Sequence, residues 1–118
     1  MLFRSRASNI IISGGVNIYP AEIEQVLAEH PAIADVGVFG IPDDEWGETV
    51  KAAVQLKGGF EASAALEAEI LAFGRVHLAG YKVPRGVDFE RELPRHPTGK
   101  LLVRSLRDRY WAGRERRI

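Results

Sequence analysis

The chain has 118 residues, and its sixteen basic and sixteen acidic residues cancel to a formal net charge of zero. No global field therefore favours nucleic acid or an anionic membrane as a partner. The chain contains no cysteine, which excludes disulfides, thiolate metal sites and a cysteine nucleophile. No stretch is long and apolar enough to cross a membrane or to serve as a signal peptide, so we expect one globular domain in the cytoplasm.

The first predicted elements are a β-hairpin and a helix. Residues 9–12 form an apolar, β-branched run, and Gly14 and Gly15 supply a tight turn, because glycine reaches positive φ at low cost. Apolar and polar residues alternate over 16–19, which predicts the second strand of the hairpin. Pro20 suits the first position of a helix. That helix would bury the face formed by Ile23, Val26 and Leu27.

The remainder of the chain predicts a sheet flanked by helices. Residues 33–41 and 48–56 read as strands joined by a turn at Pro42, Asp43 and Asp44. A run rich in alanine, leucine and glutamate predicts a helix over 62–78. A linker (81–85), a short strand (87–89), a polar loop (93–100) and a last helix (101–111) complete the chain. We predict an α+β fold, with a small N-terminal hairpin, then a mostly antiparallel sheet of about three strands flanked by helices.

Familiar catalytic motifs are absent from the sequence. It contains no GxxxxGK[ST] phosphate loop, GxGxxG, GxSxG or HExxH. Its histidines, His30, His77 and His96, are scattered, which favours surface or helix-end roles over metal ligation. The residues alone therefore predict an α+β domain with two glycine-containing loops, one of which presents a lysine, and no metal site.

Four segments taken together resemble the motifs of one enzyme family. In chain order they are residues 11–24 (IISGGVNIYPAEIE), 40–48 (GIPDDEWGE), 81–85 (YKVPR) and 93–100 (LPRHPTGK). Their order and spacing are similar to the hairpin, strand turn, linker and terminal lysine loop of the C-terminal domain in adenylate-forming (AMP-binding) acyl- and aryl-CoA synthetases. The resemblance covers almost the whole chain.

The resemblance implies a two-step reaction of a complete ligase. A carboxylate attacks the α-phosphate of ATP, which is bound with Mg²⁺, to give an acyl-adenylate and pyrophosphate. The thiol of CoA then attacks the acyl carbon and releases AMP. In this family the C-terminal domain swings between two poses, presenting the lysine loop in the first step and the glycine hairpin in the second.

The resemblance also implies that this chain acts with a partner. The phosphate loop and the acyl pocket would belong to a larger N-terminal domain, which would also set the identity of the small carboxylic acid substrate. We therefore expect the chain alone to be inactive and to bind no cofactor tightly.

By resemblance, Lys100 is the catalytic residue of the first step. A lysine is a compact cation with three donors, which suits it to offset the repulsion between a carboxylate and a triphosphate. Thr98 and Gly99 would let the backbone approach the ligand closely. The glycine–lysine pair alone is more typical of a surface lysine at a helix start, but the surrounding octapeptide reverses this preference and favours the catalytic role.

The resemblance assigns CoA binding to a second set of residues. Gly14 and Gly15 would leave room for the pantetheine arm, with Gly15 lining the tunnel, although an ordinary tight hairpin also explains both glycines. Lys82 and Arg85 would meet the phosphates of CoA, unless the linker is simply solvated.

The hinge departs from the family pattern. The family usually has Asp-Arg-x-Lys/Asp-Asp where this chain has SRASN at residues 5–9. Arg6 matches, and Ser8 takes the hinge position, where a serine can still absorb backbone rotation. We therefore divide the chain into a hinge remnant (1–8), a C-terminal lid domain (9–112) and a basic tail (113–118).

Two other functions stay open from the sequence. The chain is compatible with a free-standing binding module of the same fold without catalysis, and with a fragment of a peptide-synthetase adenylation domain. The second group usually has Gly-Phe-Arg-Ile-Glu where this chain has GVNIY at residues 15–19, so the CoA-ligase pattern fits better.

Overall fold

A computed structural model describes residues 10–112 of the chain. Its elements follow in the order β1 (Ile11–Ser13), β2 (Val16–Ile18), α1 (Pro20–Leu27), β3 (Ile33–Asp43), β4 (Gly47–Leu56), α2 (Ala64–His77), a single 3₁₀ turn (Gly80–Lys82), β5 (Gly86–Phe89) and α3 (Val103–Trp111). Within this part of the chain, no helix is both long and apolar enough to cross a bilayer.

The strands form two sheets. β1 and β2 make an antiparallel hairpin, and a second sheet has the order β3-β4-β5. β3 and β4 are antiparallel, with Asp43 opposite Gly47 at their turn, whereas β5 runs parallel to β4. Parallel pairing is possible here because α2 provides the crossover connection. The predicted α+β class is confirmed, with a sheet that is mixed because of β5.

The three-stranded sheet carries a separate core on each face. Val36 and Val38 of β3 belong to the main core, and Phe39 belongs to a smaller one, as the two-residue period of a strand requires. The main core joins the sheet to the hairpin, α1 and α2. The smaller core joins it to α3 through Leu106. The sheet therefore separates the hairpin from α3.

Local signals set the helix boundaries. Pro20 begins α1 as predicted, and Ile23 and Leu27 of that helix are fully buried. The hydroxyl oxygen of Ser63 accepts a hydrogen bond of 3.0 Å from the amide of Leu66. This cap starts α2 at Ala64, two residues after the predicted start.

Two glycines of β3 mark close approaches to the strand. A Cβ atom at Gly37 would lie 2.9 Å from Cδ2 of Leu101, and one at Gly40 would collide with the carboxylate of Glu48. The sequence predicted these glycines as weak points in the strand. In the fold they make room for side chains of neighbouring segments.

Glutamate carboxylates accept hydrogen bonds from backbone amides of the two outer strands, β3 and β5. The amide of Val38 in β3 donates to Oε2 of Glu24 in α1 at 2.9 Å, and the amide of Val87 in β5 donates to Oε2 of Glu67 in α2 at 2.9 Å. Burial raises the pKa of Glu24 above its usual value; the hydrogen bond from Val38 opposes this shift, and the nearby charge of Asp35 adds to it. Each contact ties a helix to a sheet edge.

Candidate functional site

The loop that carries Lys100 is a small closed hairpin, which we call the lysine loop (residues 94–102). The amide of Leu102 donates to the carbonyl of Pro94 at 2.9 Å, and the amide of His96 donates to the carbonyl of Lys100 at 2.8 Å. Lys100 therefore belongs to the paired stem of the loop, where its backbone position is held by hydrogen bonds.

The tip of the lysine loop contains the other two residues predicted there. Gly99 has φ +95°, a conformation that glycine adopts at low cost, and its amide donates to the carbonyl of His96 at 2.7 Å. Nδ1 of His96 accepts from the amide of Thr98 at 3.2 Å and lies 3.1 Å from its hydroxyl oxygen. Thr98 and Gly99 thus form an exposed turn directly before Lys100.

The amine of Lys100 is available to a ligand. The residue is exposed. Within residues 10–112, its amine forms no hydrogen bond or ion pair. A cation in this state can accept an anionic partner without first breaking an internal contact.

The lysine loop is anchored to the sheet by two side chains. The guanidinium of Arg95 pairs with the carboxylate of Asp35, at the start of β3, with Nε 3.1 Å from Oδ2. The amide of Leu93 donates to Oε1 of Gln55 at 3.1 Å. Asp35 and Gln55 are cross-strand neighbours, so both anchors lie at the same end of the β3–β4 ladder.

The glycine turn between β1 and β2 packs on the opposite end of that ladder. Gly14 and Gly15 have φ +57° and +84°, and the amide of Gly14 donates to the carbonyl of Trp46 at 2.8 Å. A Cβ atom at Gly14 would lie 2.5 Å from Cε3 of Trp46, whereas one at Gly15 would meet nothing within 4 Å. Gly14 therefore fits against the indole, and Gly15 faces open space.

An open groove runs between the glycine turn and the linker that follows α2. It brings together two of the residues predicted to bind CoA, Gly14 and Arg85. Its lining consists of Ser13, Gly14, Val16, Trp46, Thr49, Val50, Gly80, Tyr81, Val83 and Arg85. The amide of Arg85 donates to the carbonyl of Val50 at 2.8 Å, which holds the linker against β4.

Lys82 has an internal partner. Its amine lies 2.9 Å from Oε1 of Glu22 in α1, and the hydrogen bond to Glu22 raises the pKa of Lys82. Its predicted contact with a CoA phosphate would have to compete with this exposed ion pair, which solvent weakens.

The two predicted loops lie at opposite ends of the sheet. Asp35 anchors the lysine loop and Asp43 begins the turn next to Trp46, eight residue steps apart on β3. Eight steps of a strand span about 26 Å. The domain therefore presents its lysine and its glycine groove at two well-separated places.

Some sequence predictions fall outside the structure or have no test in it. The hinge residues Arg6 and Ser8 and the basic tail (113–118) lie outside the described residues. Among residues 10–112, no group of three or more metal-ligating side chains comes together.

Two residues next to the site were not assigned roles from the sequence. Asp35 and Arg95 are sixty positions apart and pair only in the fold. The one available signal was the position of Arg95 inside the octapeptide that ends at Lys100.

The fold agrees with that of a known family. The chain belongs to the family of AMP-binding enzyme C-terminal domains, whose model matches residues 22–100. Its solved neighbours include an acyl-CoA synthetase from Brucella canis, with a TM-score of 0.86 and 36% identity over 93% of this chain and 20% of that one.

Curated relatives carry the same domain inside longer proteins. A 2-succinylbenzoate–CoA ligase from Bacillus cereus is 54% identical over 86% of this chain, and a long-chain-fatty-acid–CoA ligase from Bacillus subtilis is 50% identical over 86% of it. The chain spans 20% and 18% of the lengths of these two relatives. It is therefore similar to the C-terminal domain of each ligase.

Proposed function

We propose that this chain is the mobile C-terminal domain of an ATP-dependent acyl-CoA synthetase and supplies the cation for adenylate formation. The observation that carries the proposal is the amine of Lys100, exposed and without a hydrogen-bond partner within residues 10–112, on a loop held closed by backbone bonds. The partner is a larger N-terminal domain that binds ATP with Mg²⁺ and the acid.

In the first step, Lys100 offsets negative charge. A carboxylate must approach the α-phosphate of ATP, and both reactants are anions. A lysine amine placed between them lowers their repulsion and stabilises the charge that develops as pyrophosphate leaves. The turn at Thr98 and Gly99 presents little bulk next to the lysine, which lets the loop enter a confined site.

In the second step, the groove beside the glycine turn admits CoA. Gly14 lines this groove and carries no side chain that would obstruct a narrow pantetheine arm, and Gly15, the next residue of the turn, faces open space. Arg85 lines the same groove and provides a cation for the phosphates of CoA. The separation of the groove from Lys100 supports a reorientation of the domain between the two steps.

The acid substrate is set outside this chain. The relatives named above act on 2-succinylbenzoate and on long-chain fatty acids, although their C-terminal domains are similarly close to this one. We propose a small carboxylic acid as substrate and a cytoplasmic location, which a chain without cysteine permits because it needs no oxidising compartment.

The test separates the two half-reactions in the complete enzyme. Lys100→Ala is expected to lower the rate of acid-dependent pyrophosphate exchange by about 10²- to 10³-fold, because one preorganised charge-stabilising group is lost. Thioester formation from supplied acyl-adenylate is expected to change only a few-fold. Lys57→Ala is the matched control, since Lys57 is an exposed lysine at the end of β4.

Two results would contradict the proposal. One is a Lys100→Ala enzyme with the same exchange rate as the Lys57→Ala enzyme. The other is pyrophosphate exchange by the 118-residue chain alone, which is expected to be inactive until the larger domain is added.

A further inference from the structure

Arg95 connects the sheet to the peptide bond that precedes Lys100. Its Nε donates to Oδ2 of Asp35 at 3.1 Å, and a second nitrogen, Nη2, also pairs with that oxygen. The remaining terminal nitrogen, Nη1, donates to the carbonyl of Gly99 at 2.5 Å. One rigid guanidinium therefore bridges the start of β3 and the tip of the lysine loop.

Asp35 is itself held in place. Asp35 lies on the same face of β3 as Gly37, two residues further on, whereas a register shift against β4 between Ile33 and Asp35 separates it from the face of Ile33. Its Oδ1 accepts a hydrogen bond of 3.0 Å from the amide of Val36. The carboxylate is 25% exposed, so it is partly shielded from solvent and offers Arg95 a fixed anchor.

The bond to Gly99 acts on the peptide plane that leads into Lys100. A peptide unit is planar, so the carbonyl of Gly99 and the amide of Lys100 move together. Backbone bonds to His96 hold the amide of Gly99 and the carbonyl of Lys100, which flank this plane, but the backbone freedom of Gly99, at φ +95°, leaves the plane between them less restrained. The guanidinium restrains it from the side of the sheet.

We propose that Arg95, held by Asp35, is a positioning residue that aims the amine of Lys100. This inference rests on the proposed function, because it assigns Arg95 to the adenylation step. Arg95 touches no reacting atom in this scheme. It acts on the geometry of the loop, and a misplacement of about 1 Å can cost about 10²-fold in rate.

The variants Arg95→Gln and Asp35→Asn test the proposal in the complete enzyme. Each is expected to lower kcat for pyrophosphate exchange by about tenfold or more, with KM for ATP changed less than about twofold. Arg95→Lys keeps the positive charge but lacks the planar guanidinium that bonds to Asp35 and Gly99 at once, so it is expected to recover only part of the rate. In the double variant Arg95→Gln/Asp35→Asn, the losses in kcat are expected not to add, because both substitutions remove the same bridge.

Arg109→Gln is the matched control. Arg109 lies 3.0 Å from Glu90 in another exposed ion pair and makes no hydrogen bond to the lysine loop among the described residues. It is expected to leave both half-reactions within about twofold of the unmodified enzyme. Thioester formation from supplied acyl-adenylate is expected to be unchanged in Arg95→Gln, since that step uses the other end of the sheet.

A second measurement is independent of catalysis. In the 118-residue chain, hydrogen exchange of the Gly99 amide, which donates to the carbonyl of His96, is expected to accelerate in Arg95→Gln and Asp35→Asn, while that of the Gly14 amide, which donates to the carbonyl of Trp46, stays unchanged. Equal hydrogen-exchange rates of the Gly99 amide in these two variants and in Arg109→Gln would overturn the positioning role.

The outcomes also separate this inference from the proposed function. Full pyrophosphate-exchange activity in Lys100→Ala would defeat the proposed function. The amide hydrogen-exchange rates would still decide whether Arg95 restrains the loop. A strong loss in Lys100→Ala with none in Arg95→Gln would overturn only the inference. Equal losses of both half-reactions in Arg95→Gln would indicate general destabilisation and would overturn it too.

Discussion

The glycine turn and the lysine loop lie on the same pair of strands but are held by different forces. At the turn, Gly14 fits against the indole of Trp46 and donates to its carbonyl, so shape and backbone geometry dominate. At the loop, the ion pair between Arg95 and Asp35 provides one of the two side-chain anchors to the sheet. Salt screens an exposed ion pair but leaves a steric fit unchanged. The geometry of the first region is therefore expected to be insensitive to salt, and that of the second to respond to its ionic surroundings.

Substitution at the glycine turn should give the largest loss of stability. Gly14→Ala places a Cβ 2.5 Å from the indole of Trp46 and keeps φ +57°, so the free energy of unfolding is expected to fall by about 2–3 kcal/mol. Gly15→Ala meets no neighbouring atom and has only the cost of a positive φ, so its free energy of unfolding is expected to fall by about 1 kcal/mol. Urea unfolding of the chain measures both. The steric account fails if the two variants lose the same amount, or if Trp46→Ala does not relieve Gly14→Ala.

Substitution beneath the lysine loop should have a smaller effect. Gly37→Ala brings a Cβ to 2.9 Å from Cδ2 of Leu101, the residue after Lys100, and overpacking of this kind costs about 1–2 kcal/mol. Amide chemical shifts are expected to change over residues 96–101 and to stay constant at Gly14 and Gly15. Gly58→Ala, which adds a Cβ in open space, is the control. Shift changes confined to the glycine turn would contradict the separation of the two regions.

The smallest expected effect comes from a half-buried charge network on the face of the sheet that α3 covers. The hydroxyl of Tyr110 donates to the carboxylate of Asp88, which also lies 3.3 Å from the amine of Lys51. Burial, and then the hydrogen bond to Asp88, raise the pKa of Tyr110 to about 12. The folded state thus holds this proton more tightly than the unfolded state, whose tyrosine titrates near pH ~10.

The sign of the pH dependence follows from this shift. The stabilisation by Tyr110 is complete below about pH 10 and is lost as the pH rises toward about 12. Tyr110→Phe is expected to lower the free energy of unfolding at pH ~8 by about 0.5–1 kcal/mol and to flatten its decline above pH ~10. Urea unfolding across this pH range measures the effect, with the exposed Tyr19→Phe as control. An equally steep alkaline decline in Tyr110→Phe would show that another group is responsible.

The sequence predicted features that depend on local signals. Pro20 predicted the start of α1, and the paired glycines 14 and 15 predicted the hairpin turn. The octapeptide that ends at Lys100 predicted a loop, and the structure adds that this loop is closed by backbone bonds. Such features were accessible because the residues that determine them are close in the sequence.

Features that depend on distant partners were not accessible. Arg95 meets Asp35 and Lys82 meets Glu22, and each pair is separated by sixty positions. The direction of β5 depends on how α2 crosses the sheet, which four strand residues do not encode. The contact of Gly14 with Trp46 likewise required the arrangement of the hairpin on the β3–β4 turn.

The carboxylates of Glu24 and Glu67 have a consequence for the domain as a separate body. An outer strand with free amides is a template on which another chain can add a strand and begin a fibril. Here the amides of Val38 and Val87 are already occupied, and an incoming strand would have to displace a carboxylate at each edge. The domain can thus expose its loops to solvent while each sheet edge carries one position at which strand addition is obstructed.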